Sequence, residues 1–119
     1  MTERISSGLS GDAAVTAFML AWRDYVRQYP YRYLAMPLQP LTDPLFAPVA
    51  SRWRPGGLAT LRGYGLTDEA AIHAARRLRA ALHGFVVLEI QGGFGLPEDI
   101  DLSFRQLIDM VIASLRPAR

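Results

Sequence analysis

A chain of 119 residues holds one hydrophobic core and is too short for two ordinary domains; half of it is apolar and a fifth charged, which excludes disorder. The absence of cysteine excludes disulfides, thiolate zinc sites and cysteine nucleophiles. The formal charge of +2 comes from arginines spread along the chain, and the closest cluster, Arg76, Arg77 and Arg79, fans out at about 100° per helical residue, so a nucleic-acid footprint is not expected.

No apolar run approaches the roughly 20 residues needed to span a bilayer, and the first six residues are no secretion signal. The expected setting is cytoplasmic, with no membrane partner.

Gly8, Gly11 and Asp12 precede a helical stretch that Tyr29-Pro30 ends, with Ser10 or Asp12 as its cap. Val15, Phe18, Met19, Trp22, Tyr25 and Val26 recur at three- and four-residue spacing, which buries one face of a helix over 12–29. Arg23, Asp24, Arg27 and Gln28 fall largely on its other side.

Pro37, Pro40, Pro44 and Pro48 limit any helix in the next segment to a turn or two. A short helix is expected over 31–36. Asp43-Pro44 opens another, over 44–54, with the acid as cap and proline in the first helical position. The run Arg54-Pro55-Gly56-Gly57 breaks it, since proline costs roughly 3 kcal/mol and each glycine roughly 1 inside a helix. A further helix is expected over 57–63, stopped by Gly63-Tyr64-Gly65.

Thr67-Asp68-Glu69 starts the longest helix, expected over 67–92, and Gly92-Gly93 provides a left-handed stop. Its second half, 82–90, is apolar on nearly every side and has to be covered on more than one of them. The last helix is expected over 99–115, capped by Asp99 or Asp101 and closed by Pro117. Phe104, Leu107, Ile108, Val111, Ile112 and Leu115 span an arc of roughly 140° on it, wide enough for a core and a second surface. No segment alternates as a half-buried strand does. The expected fold is one all-α helical-bundle domain over 1–119.

Catalytic chemistry is not expected. His73 and His83 lie on different faces of one helix and cannot share a metal without a bend. Glu98, Asp99 and Asp101 lack the spacing of a calcium loop and read as helix-capping acids. No catalytic residue, metal ligand or cofactor is assigned. Glu89 falls by helical phase among Leu78, Leu82 and Phe85, so its carboxylate needs an arginine, a tyrosine or a ligand. His83 sits beside Gly84, which admits close approach of another backbone, and reads as a structural or dimer contact. The aromatic residues Phe18, Trp22, Tyr25, Phe46 and Trp53, with Met36, are concentrated in the first half of the chain. Any one of these rings fits a packed core, and as a group they suit an apolar ligand cavity between helices.

The run His83-Gly84-Phe85-Val86-Val87-Leu88-Glu89-Ile90-Gln91-Gly92-Gly93-Phe94-Gly95-Leu96-Pro97 resembles the C-terminal regulatory domain of TetR-family transcriptional regulators, in the subgroup with a His-Gly motif followed by Gly-Gly-Phe-Gly. The resemblance extends forward through Asp101, Ser103, Phe104, Leu107, Ile108 and Asp109, and back through Leu61-Arg62-Gly63-Tyr64-Gly65-Leu66 and Asp43-Pro44 to Tyr25 and Tyr29-Pro30. It implies an all-helical domain whose last two long helices pair with those of a second copy in a four-helix interface. It further implies a homodimer that binds a small effector among the preceding helices and reaches DNA only through an N-terminal helix-turn-helix domain. The chain as given carries no such head ahead of Met1 and on its own is not expected to bind an operator. Arg79 stands where the subgroup often has tryptophan, and the break at Arg54-Pro55-Gly56-Gly57 falls where the family usually continues a helix.

The expected function is therefore a regulatory domain that binds a lipophilic effector and dimerises; the alternative is a ligand-free helical dimerisation or interaction module. The expected effector contacts are Phe18, Trp22, Tyr25, Met36, Phe46, Trp53, Leu82 and Glu89. The expected dimer contacts are His83, Gly84, Val87, Phe104, Leu107, Ile108 and Val111.

Overall fold

A computed structural model describes residues 11–35, 64–66 and 68–116. The helices expected over 44–54 and 57–63 lie outside them. Every regular element among the described residues is a helix: α1 (Gly11–Gln28), α2 (Pro30–Ala35), α3 (Asp68–Ile90) and α4 (Ile100–Leu115). The fold is all-α.

Helix α1 ends where Pro30 removes a backbone donor, yet the chain bends rather than stops there. Tyr29 N–H still donates to Tyr25 O at 2.9 Å, and Tyr33 N–H to Tyr29 O at 3.0 Å. Proline stands at the first position of α2, where its missing N–H costs least. The bend turns Tyr33 back beneath Trp22, whose ring meets it edge-on at 6.4 Å.

Helix α1 lies across the α3–α4 pair, and α3 and α4 pack on each other. The core between them takes Val15, Met19, Trp22 and Val26 from α1. It adds Leu78, Leu82 and Val86 from α3, and Phe104, Ile108, Val111 and Leu115 from α4. Burial of each large apolar side chain contributes about 1.5–3 kcal/mol, so this three-sided core is the main force holding the helices together.

Two features fix the α3–α4 hairpin. At the end of α3, Gly92 N–H donates to Glu89 O and Gly93 N–H donates to Leu88 O, 3.1 and 2.7 Å, the paired bonds of a Schellman stop. Gly92 adopts φ +69°, and a Cβ on Gly93 would sit 2.9 Å from Leu88 Cδ2, so the tandem glycines serve two separate needs. Gly92→Ala is expected to cost about 1 kcal/mol through the left-handed conformation alone, read as a lower urea midpoint with an unchanged slope. At the start of α4 the cap is Asp99, whose side chain accepts from Asp101 N–H at 3.0 Å. That leaves the Asp101 carboxylate available for a different partner.

Candidate functional site

The partner is Arg23. This residue, expected on the solvent side of α1, is only 7% exposed. Its position four residues after Met19 and three before Val26 places it on the edge of the buried face. Its Nε donates to Glu89 Oε1 at 2.9 Å and its Nη2 to Glu89 Oε2 at 2.7 Å, a two-pronged match of guanidinium to carboxylate. The same Nη2 lies 2.8 Å from Asp101 Oδ1. The guanidinium carbon stands 4.9 Å from the centre of the Phe104 ring and 5.7 Å from that of Phe85. One cation on α1 thereby holds the last turn of α3 and the first turn of α4. The Glu89 hydrogen bonds raise the Arg23 pKa against the opposing effect of burial, and Asp101 adds to the rise. The guanidinium stays charged.

A second polar contact joins α2 to α3. The Tyr33 hydroxyl lies 2.7 Å from His83 Nδ1, with the two rings 5.6 Å apart. Burial pushes the Tyr33 hydroxyl above its ordinary range, while the Trp22 indole N–H and the nearby charge of Arg79 pull it back. A third contact joins the ends of the chain segments: Asp12 accepts from the Tyr64 hydroxyl and from Arg116 Nη2, the latter at 2.6 Å. Sequence reasoning missed the partners in all three contacts, although the apolar setting of Glu89 called for an arginine, a tyrosine or a ligand.

Of the expected effector contacts, Met36, Phe46 and Trp53 lie outside the described residues. Trp22 and Leu82 are buried in the core, at 5% and 0% exposure, and Phe18 and Tyr25 are partly buried against it. Phe18 meets Trp22 edge-on at 5.5 Å, and Tyr25 stands against Tyr29. Glu89 is occupied by Arg23. No group of three or more metal-ligating side chains occurs among the described residues.

The expected dimer contacts divide. Phe104, Ile108 and Val111 are 1%, 4% and 4% exposed within a single copy, where they pack into the core. Their apolar arc turns inward because α1 lies over it. His83, Val87 and Leu107 are half-buried, and Gly84 is exposed. The large apolar side chains left open on α3 and α4 are Ile72, Leu88, Leu102 and Met110. Among the described residues, nothing lies within 4 Å of where a Cβ on Gly84 would stand.

Residues 15–111 match the family of tetracyclin repressor-like C-terminal domains. The chain belongs to that family, which comprises domains of transcriptional regulators rather than enzymes. It is also 37% identical over 103 residues to an uncharacterized HTH-type transcriptional regulator, Rv0681, of Mycobacterium tuberculosis, a match that takes in 85% of this chain. The match spans 46% of that relative's length. No helix among the described residues is long and apolar enough to cross a membrane.

Proposed function

We propose that the chain is the effector-binding and dimerising part of a cytoplasmic transcriptional regulator, with DNA contacted only through a separate N-terminal domain. Two copies join through the outer faces of α3 and α4, around His83, Gly84, Val87 and Leu107, with Leu88, Leu102 and Met110 added. The observation that carries this is Gly84. A glycine inside a helix costs about 1 kcal/mol relative to alanine. Among the described residues the space over it is open, and none of them requires a missing side chain there. A second helix backbone at that point supplies the reason, and the exposed Leu88 one turn later supplies apolar surface to bury with it.

Gly84→Leu tests the reading. Sedimentation equilibrium of the native chain at micromolar concentration is expected to give a dimer. The variant is expected to give a monomer whose helices are at least as stable, because leucine favours a helix more than glycine does. A monomeric native chain, or a variant that still dimerises, defeats the proposed interface.

The effector is proposed to be lipophilic and to lie against Phe18, Tyr25 and the aromatic residues of the 36–63 segment. A second reading drops the effector and keeps the dimer as a helical interaction module. It is favoured by one observation: Trp22, Leu82 and Glu89 are already engaged in core packing and an ion pair. A thermal-shift screen across lipophilic compounds separates the two, since a ligand at 100 times its Kd adds about 2.7 kcal/mol to the folded state.

A further inference from the structure

The turn between α3 and α4 holds a leucine that the described residues leave uncovered: Leu96 is 84% exposed. Among those residues it is also the only one other than glycine in the left-handed region, at φ +57°. Its Cβ disfavours that conformation. The turn around it is firmly seated. Phe94 packs on Phe85 with ring centres 4.8 Å apart, and Asp99 caps α4. Leu88 in the last turn of α3 and Leu102 in the first turn of α4 are 46% and 51% exposed. Three open leucines therefore stand at one end of the hairpin.

Charge divides the same hairpin. From Ala80 to Phe104 the chain has four acids, Glu89, Glu98, Asp99 and Asp101, and no arginine; from Ala70 to Arg79 it has three arginines and no acid. Arg23 answers Glu89 and Asp101, which leaves Glu98 and Asp99 exposed at the turn. Arg77 reaches Ser114 O at 3.2 Å, an exposed contact that holds its guanidinium on the α4 side of α3. Arg77, Gly84 and Leu88, at spacings of seven and four, share one stripe of that helix.

We propose that the turn docks on a second copy of the chain, with Leu96 set against the arginine-bearing half of the other α3 and Glu98 facing Arg77 of the partner subunit. The inference rests on the proposed dimer and gives it a direction. About a twofold axis at Gly84, antiparallel α3 helices set each residue opposite the one equally far beyond Gly84 on its mate. Arg77 lies seven residues before Gly84, and Gln91, where the turn begins, lies seven after it. Both stand about 10 Å from the crossing. The acidic turn of each copy then reaches the arginines of the other, twice per dimer. A parallel pair would set turn against turn, and the like charges of Glu98 and Asp99 oppose that.

Sedimentation equilibrium of the full chain and its variants tests the docking. Leu96→Gly is expected to weaken association about a hundredfold, because two leucines leave the interface. Its helical content by circular dichroism should stay native, since glycine accepts the left-handed conformation without strain. Glu98→Arg and Arg77→Glu should each weaken association about tenfold, and the double variant should return to within about threefold of the native chain. A native dimer that Leu96→Gly leaves unmoved overturns the docking of the turn while the interface at Gly84 stands. Single swaps without effect, or a double variant no tighter than either single one, overturn the antiparallel direction. A monomeric native chain overturns the dimer and this docking together.

Discussion

Glu89→Ala is expected to destabilise the fold by about 3 kcal/mol, toward the lower end of the range for breaking a buried ion pair. The Arg23 and Glu89 side chains are only 8% and 14% exposed, so water does not replace the lost carboxylate. Asp101 remains 2.8 Å from Arg23 Nη2, which softens the loss; it is itself 65% exposed and cannot fill the place of the two-pronged partner. The loss is measured as a shift in urea midpoint. The double variant Arg23→Met with Glu89→Leu should recover most of it, because both charges then leave together and the hole is refilled with apolar atoms. A single variant within 1 kcal/mol of the native chain would show that the pair is not buried in solution.

Phe104→Ala is expected to cost about 3–5 kcal/mol, the usual consequence of emptying a fully buried aromatic site. Phe104 is 1% exposed, and its ring lies 4.9 Å from that of Phe85 and beneath the Arg23 guanidinium at 4.9 Å. Truncation opens a cavity and removes one face of the cation's setting. Because the ring touches Arg23, the cost should not add to that of Glu89→Ala. A double-mutant cycle is expected to return a coupling of about 1 kcal/mol, in the range found for residues in contact. Strict additivity would place Phe104 and the ion pair in separate environments. A loss of dimer with little loss of monomer stability would place Phe104 at the intermolecular surface that the family resemblance implies.

The fold was legible because its signals are local. Three- and four-residue spacing marked α1 and α4, Pro30 marked the bend, and Gly92-Gly93 marked the turn between the last helices. The site was less legible because its decisive contacts join residues far apart in sequence. Arg23 looks like a surface charge on a helix whose neighbours Asp24 and Arg27 are exposed. Only the apolar surroundings of Glu89 asked for a partner, and they left an arginine, a tyrosine and a ligand equally open. The wide arc on α4 posed a related difficulty: a helical wheel gives its width, not how it is shared between core and partner. The structure buries Phe104, Ile108, Val111 and Leu115 of that arc in the core and leaves Leu107 and Ile112 partly exposed.

The hydrogen bonds from Arg23 to Glu89 close a separation of 66 residues, whereas the α3–α4 hairpin turns through a loop of about ten. Loop-closure entropy makes the long closure about 2 kcal/mol harder than the short one. The hairpin is therefore expected to organise early, with Gly92-Gly93 and Asp99 setting its geometry before any charge is paired. Helix α1 then settles onto a ready-made platform, and the guanidinium reaches both acids at once. The ion pair acts as a clasp: it has little say in how fast the chain assembles and governs how seldom it comes apart.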